Sequence, residues 1–293
     1  MTQTPKIRHI TGPEAFQKAF GVSRETLTKL EVYADLLRRW QKTINLIAPS
    51  TLVDLWHRHF ADSAQVWQTV GATCSHSPGE SVHRADFPLS PPGERARRAG
   101  GDLKGGEGAN SRFSSQETTP SPRSALPLPK GRGEDLNAPL SPWAAEIRHL
   151  ADFGSGAGFP GLVLAIMGAE SGQSRHTLVE SDSRKASFLR EVARETRVAV
   201  DILCERIESP QTVAKVARVD VVTARALAPL PKMVPLLAPY FASHTIGFLS
   251  KGQLVKAEIE ETARAWSFTS RLIPSKTDAS GAIVVISQLA RRV

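Results

Sequence analysis

The sequence predicts an α/β fold: a parallel sheet with helices on both faces, an N-terminal helical cap before it, and a long insertion between the two. Three observations carry this reading. Leu150-Ala151-Asp152-Phe153 leads through Gly154-Ser155-Gly156-Ala157-Gly158-Phe159-Pro160-Gly161 into the apolar run 162–167, which is a strand, a tight turn and a helix. Beyond it, strand-length apolar runs alternate with helix-length amphipathic ones. Upstream, apolar residues recur at three- and four-residue steps, the period of a helix facing a core.

The chain is long enough, at 293 residues, for one large α/β domain with an accessory element. Its formal charge of +8 and isoelectric point near 9.8 point toward an anionic partner such as nucleic acid. Cys74 and Cys204 are too few for a disulfide framework or a zinc cluster and fit a reducing cytoplasm, and no metal site is expected. Cys204, within an apolar run, reads as a small core residue. The first residues lack the apolar stretch of a signal peptide, and no segment reaches the ~18 apolar residues of a membrane span. A soluble, cytoplasmic protein is the expectation, with a monomer as the default.

Taken in order, a short helix is expected over 13–20. A longer one runs from Ser23, a good N-cap, through Leu27, Leu30, Tyr33, Leu37, Trp40 and Ile44. A further helix over 52–70 carries Leu55, Trp56, His59, Phe60, Ser63 and Val66 along one side, while His57, Arg58, His59 and Asp62 read as polar members that cap and solvate the helix or touch RNA. These helices form the cap, 1–73. From 74 to 142 the composition shifts: Ser75 to Pro142 holds ten prolines and nine glycines in 68 residues, and two half-similar pieces begin at Pro88 and Leu128. Such a stretch cannot bury enough apolar surface to offset its ordering entropy, and a disordered insertion is predicted. With nine Lys/Arg against eight Asp/Glu it is nearly neutral, so the basic character belongs to the folded remainder.

From 143 to 293 the core is expected to place strands at 147–153, 176–180, 198–204, 220–223 and 245–249, with helices at 161–167, 183–196, 211–217 and 231–237. A helix over 254–266 and strands at 268–273 and 282–289 follow, the last two resembling the antiparallel hairpin that closes a methyltransferase-type sheet.

Residues 156–161 match G-x-G-x-x-G, a pattern two cofactor classes can claim. A dinucleotide sets its pyrophosphate on the helix N-terminus. Asp152, two residues before the first glycine, disfavours that anion and suits S-adenosylmethionine, which carries an ammonium and a sulfonium and no phosphate. Glu180 ends the second strand, where a carboxylate accepts from ribose hydroxyls, and its competing role is a charge at the next helix N-terminus. Arg206-Ile207-Glu208 follows the third strand and can edge an adenine.

Residues 152–161, Leu178-Val179-Glu180-Ser181 with 184–190, Arg206-Ile207-Glu208, Thr223-Ala224-Arg225-Ala226, Lys251-Gly252, and the upstream runs 40–47 and 58–63 together resemble the bacterial small-subunit ribosomal RNA (guanine-N7) methyltransferases, also called glucose-inhibited division protein B. The resemblance covers about 20–72 and 143–289, and it departs at 75–142, where the family has a short loop. It implies a Rossmann-like class I methyltransferase sheet, methyl transfer from S-adenosylmethionine to guanine N7 in 16S ribosomal RNA, with that RNA presented within the small ribosomal subunit, and donor contacts at Gly154, Phe159, Ile207, Glu208 and Arg225. Asp152, Gly156 and Glu180 complete the candidate cofactor site, and Arg225 has a bracing role toward Glu208 or Asp152 as its competitor. N7 is an aromatic lone pair with no proton to lose, so no catalytic base is expected and none is assigned. Arg58, Arg184, Lys185, Arg190 and Lys251 are the candidate RNA-binding cations, with a solvated basic face as the alternative for those of 184–190. The competing functions are methylation of a small molecule or protein, and an RNA-binding module with a vestigial cofactor pocket; a nicotinamide dehydrogenase is disfavoured by Asp152.

Overall fold

The computed structural model describes residues 7–74, 147–170, 172 and 174–292. The predicted insertion and its two half-similar pieces lie outside the described residues, apart from the end of a helix at Cys74.

Seven strands form one sheet: β1 (His149–Phe153), β2 (Arg175–Val179), β3 (Asp201–Leu203), β4 (Val221–Arg225), β5 (Ile246–Lys251), β6 (Trp266–Pro274) and β7 (Ala282–Arg291). Their order is β3-β2-β1-β4-β5-β7-β6. The first five are parallel, and β7 enters antiparallel between β5 and β6. β1 is buried at all five positions, as a central strand covered on both faces must be, and this is why its sequence is a continuous run rather than an alternation. β6, at the edge, alternates partly buried and exposed residues. The direction of the strand order reverses between β1 and β4, which opens a crevice at their C-terminal ends.

On one face lie α4 (Gly161–Gly168) and α5 (Ser183–Thr196), and on the other α6 (Pro210–Lys215), α7 (Leu230–Leu237) and α8 (Val255–Thr262). α4 is buried at all eight positions, because α1 (Pro13–Phe20), α2 (Arg24–Trp40) and α3 (Asp62–Cys74) join its core from the side away from the sheet. Ser23 caps α2 as its sequence predicts, accepting from Thr26 N at 3.0 Å.

Where structure and expectation part, the causes are local. α2 stops at Trp40, short of Ile44, because the Gln41 side chain turns the chain back: its Oε1 accepts from the amides of Leu46 and Ile47, and its Nε2 donates to the Ile47 carbonyl. The helix expected over 52–70 is a 3₁₀ turn (Pro49–Asp54), a wide π-type turn (Trp56–Ala61) and then α3. That wide turn brings His57 and His59 inside: His59 joins the apolar side on which its spacing places it, and neither ring solvates the helix. β3 is three residues long and ends before Cys204, which is exposed rather than a core residue. α8 ends at Thr262 because the chain from Trp266 already pairs with β7.

Candidate active site

The glycine turn connects β1 to α4 at the crevice. Gly154, Gly156 and Gly158 have φ of +68°, +56° and +95°. At Gly158 a Cβ would lie 2.6 Å from Tyr33 Oη and 2.9 Å from Leu162 Cβ, so only glycine lets the turn settle on α2. Tyr33 occupies that space with purpose: its hydroxyl donates to the Ala157 carbonyl, and its ring stacks on Phe159 at 5.2 Å and 19°. Sequence periodicity makes Tyr33 a core residue of α2 and gives no sign that it supports the turn.

Glu180 clamps the turn from the other side. Its Oε2 accepts from Gly156 N at 2.7 Å and its Oε1 from Asp182 N at 2.8 Å. The acidic residue at the N-terminus of α5 is Asp182, its N-cap, whose Oδ1 accepts from Arg184 N and Lys185 N. Asp152 sits beneath the turn, fully buried, with Oδ1 accepting from Thr223 Oγ1 at 2.7 Å and Oδ2 without a hydrogen bond. Burial pushes its carboxyl up to about 6, against the pull of the Thr223 hydroxyl. Gly161 must be glycine because a Cβ there would meet Asp152 Cβ at 2.5 Å. Asp152 is not among the residues that line the cleft above it.

That cleft, of about 480 Å³, is lined by Gly154, Gly156, Phe159, Glu180, Lys185, Ile207, Glu208 and Arg225, with Leu227 and Leu236 among its apolar residues. The structure thus brings together seven of the eight candidate cofactor residues, from the ends of β1, β2, β3 and β4. Ile207 is buried, and its carbonyl accepts from Tyr240 Oη at 2.5 Å, while Glu208 is exposed. The volume suits a nucleoside-sized ligand. A bare Cα at Gly154, where a Cβ would come within 2.6 Å of Leu227 Cδ1, gives the backbone cradle, and carboxylates beside an apolar surface suit a phosphate-free adenosyl group.

A second cleft, of about 350 Å³, adjoins the first, and Arg225 and Ala226 line both. Arg225 does not pair with Glu208 or Asp152. Its Nη1 donates to Asp62 Oδ2 at 2.9 Å, its Nη2 donates to His59 Nδ1, and its guanidinium lies 5.6 Å from the centre of the Phe159 ring. His59 is pushed down to about 3, by burial first and then by the charges of Arg225 and Arg58, so it is a neutral acceptor. Its Nε2 therefore carries the proton toward Thr51 Oγ1, 2.8 Å away. Asp62 Oδ1 accepts from Gln65 Nε2 at 2.7 Å and from Thr277 Oγ1 at 2.8 Å, and Gln65 also bonds Ser275 and the Lys276 amide. This network ties α3 to the β6–β7 loop across more than 200 residues of sequence, and no motif announces it.

Of the candidate RNA-binding cations, Arg58 is exposed at the second cleft, Arg184 and Arg190 are exposed on α5, and Lys185 lines the first cleft. Lys251 is different: its Nζ is buried between the Ala228 carbonyl at 2.8 Å and Glu258 Oε2 at 2.7 Å, which makes it an internal brace rather than a free cation. Among the described residues no group of His, Cys, Asp and Glu could hold a metal ion, and no helix is long and apolar enough to cross a membrane.

Five parallel strands closed by an antiparallel β7, with a glycine turn and an adenosyl-sized cleft at the switch in strand order, define a Rossmann-like class I methyltransferase. The family model for rRNA small subunit methyltransferase G matches residues 26–75 and 138–281, and the chain belongs to that family. The match leaves out 76–137, most of the stretch predicted as an insertion. The ribosomal RNA small subunit methyltransferase G of Paramagnetospirillum magneticum is 36% identical over 280 residues, 96% of this chain and 97% of its own length. That of Rhodospirillum centenum is 36% identical over 277 residues, 94% and 91% of the two chains. Membership makes the chain an S-adenosylmethionine-dependent methyltransferase acting on ribosomal RNA.

Proposed function

We infer that the chain transfers a methyl group from S-adenosylmethionine to N7 of a guanine in 16S ribosomal RNA, presented within the small ribosomal subunit, and that it acts in the cytoplasm as a monomer. The observation that carries this reading is the pair of clefts meeting at Arg225 and Ala226: one of adenosyl size, and beside it one lined by Arg58, Asp62 and Asp278.

Bound S-adenosylmethionine supplies an electrophilic methyl group on a sulfonium. Gly154, Gly156 and Phe159 form the floor of its site, Ile207 and Glu208 the adenine side, and Glu180 the ribose side, with a carboxylate already oriented by two amide donors. Asp152 acts from below: it is fixed by Thr223, lies close against Gly161, and places negative charge under the site. Arg225, fixed by Asp62 and His59, forms the wall between donor and acceptor. Because N7 has no proton to remove, these residues orient the two partners in line and exclude water, and no residue serves as a base. An unpaired guanine is the form that can enter such a cleft. Arg58, Arg184, Lys185 and Arg190 are the cations that attract the RNA; the buried Lys251 is left out of this set. In domain terms, residues 1–73 are the helical cap, 74–142 the insertion and 143–293 the catalytic core.

Labelled methyl transfer onto unmethylated small subunits and onto free RNA, followed by chemical cleavage at N7-methylguanine, tests the reading. A single cleavable site is expected. Transfer without N7 cleavage, or no transfer to either substrate, overturns it.

A further inference from the structure

The second cleft holds two carboxylates, and they differ in what occupies their oxygens. Asp62 is committed on both, to Gln65 and Thr277 through Oδ1 and to Arg225 through Oδ2. Asp278, on the β6–β7 loop, is committed on one. Its Oδ1 accepts from Ser280 N at 2.9 Å and Ser280 Oγ at 2.7 Å, which fixes the plane of the group. Its Oδ2 has only an ion-pair partner, Arg58 Nη1 at 3.5 Å, and no hydrogen bond among the described residues. Both side chains of this pair are more than a third exposed, at 46% and 38%, so separating them loses little. The loop itself is held in place by Gln65, through Ser275 Oγ and the Lys276 amide.

We propose that Asp278 and Arg58 read the acceptor base: Asp278 Oδ2 exchanges Arg58 for the N1–H and N2–H donors of guanine, and the released Arg58 donates to O6. The inference rests on the acceptor being a guanine methylated at N7, and it deepens that reading by naming what selects the base. The chemistry is one-sided. Guanine presents two adjacent donors and one acceptor on the edge away from N7, so a carboxylate beside a guanidinium matches that edge and leaves N7 free. Adenine offers a lone pair at N1 where Asp278 offers another, and cytosine and uracil have no N7. Asp278 is ionised at neutral pH, because the Ser280 hydrogen bonds and, less, the Arg58 charge hold its carboxyl below the usual range. Sequence alone marks Arg58 as a candidate RNA-binding cation and gives no sign of its pairing with Asp278.

The test uses the full chain and small subunits carrying, at the position the parent enzyme methylates, either guanosine or inosine, which keeps N1–H and O6 but lacks the N2 amine. Methyl incorporation gives kcat/KM for each. The parent should prefer guanosine by about 5- to 150-fold, the range of one good base-edge contact. Asp278→Asn should lose a similar factor on guanosine, should use guanosine and inosine within about twofold of each other, and should keep the parent's affinity for S-adenosylmethionine. Equal use of the two bases by the parent overturns the proposal, as does an Asp278→Asn chain that retains the parent's preference. If the variant loses S-adenosylmethionine binding through misfolding, the parent's own guanosine-to-inosine ratio decides. A parent that transfers no methyl group to guanosine overturns the N7 reading itself, which separates the two failures.

Discussion

Replacing Gly158 with alanine isolates the contact between α2 and the donor turn. Two terms add. The backbone at Gly158 has φ of +95°, outside the small left-handed region that other residues reach, for which about 1–3 kcal/mol is typical. The new methyl group would also stand 2.6 Å from Tyr33 Oη, 2.9 Å from Leu162 Cβ and 3.1 Å from Leu189 Cδ2, and overpacking of this kind costs about 1–3 kcal/mol. The sum, about 2–6 kcal/mol, is a large part of the stability of an ordinary domain. Gly156→Ala in the same turn is the reference. Its φ is +56°, and its Cβ would meet nothing nearer than 3.8 Å, so only a strain of about 1–2 kcal/mol applies. Equilibrium urea unfolding without ligand measures both variants, with an unchanged m-value as the check that the transition is the same. Adding Tyr33→Phe to Gly158→Ala should recover part of the loss by removing the nearest atom, a non-additivity expected of residues in contact. Equal destabilisation by Gly158→Ala and Gly156→Ala would refute the view that Tyr33 and its neighbours fill the space under the turn.

Three further outcomes are expected. Burial raises the folded-state carboxyl of Asp152 to about 6 from 3.8, so between these values the native state binds more protons than the unfolded one and stability falls as pH rises. The parent should therefore lose up to about 3 kcal/mol relative to Asp152→Asn between pH 4 and pH 6, measured as the difference of their urea unfolding free energies, and parallel pH profiles would contradict the assignment. Arg190→Ala should reduce the salt dependence of RNA binding, lowering the slope of log K against log salt by about 0.7, whereas Lys251→Met should leave that slope alone and lower the unfolding midpoint. A chain lacking residues 78–135, most of the stretch the family model passes over, should bind S-adenosylmethionine as the parent does in a calorimetric titration; weaker binding would give that stretch a role in the donor site.

Local chemistry was legible in the sequence, and pairing between distant segments was not. The strand-turn-helix at 149–168 declares itself because glycine spacing, an apolar strand and an apolar helix coincide within twenty residues. Ser23 marks the start of α2 just as locally, a capping hydroxyl directly before a run of helical period. Lys251 shows the opposite case. At the end of a strand, beside Gly252, a lysine reads as a cation near a pocket mouth, and only the return of α8 shows that Glu258 is waiting for it. The spacing of His59 puts it beside Trp56 and Phe60 on the buried side, but nothing local shows that it and Asp62 close on Arg225; the wide turn at Trp56–Ala61 and the arrival of β4 create that contact. Gln65 carries no motif, yet it joins α3 to Ser275, Lys276 and Thr277, a link that only the tertiary fold creates.

The hold of Tyr33 on the glycine turn also sets an order of events during synthesis. The apolar face of α2 leaves the ribosome long before Phe159, Phe188 and Leu189, the residues it packs against. At about 5–20 residues per second, the wait from the end of α3 to the end of α5 is on the order of ten seconds. Until then Tyr33, Leu37 and Phe60 have no sheet-borne partner to cover them. The donor turn is continuous in sequence but is held by Glu180 from one side and by Tyr33 from the other, so the floor of the cofactor site is complete only once segments 124 residues apart in the chain have met.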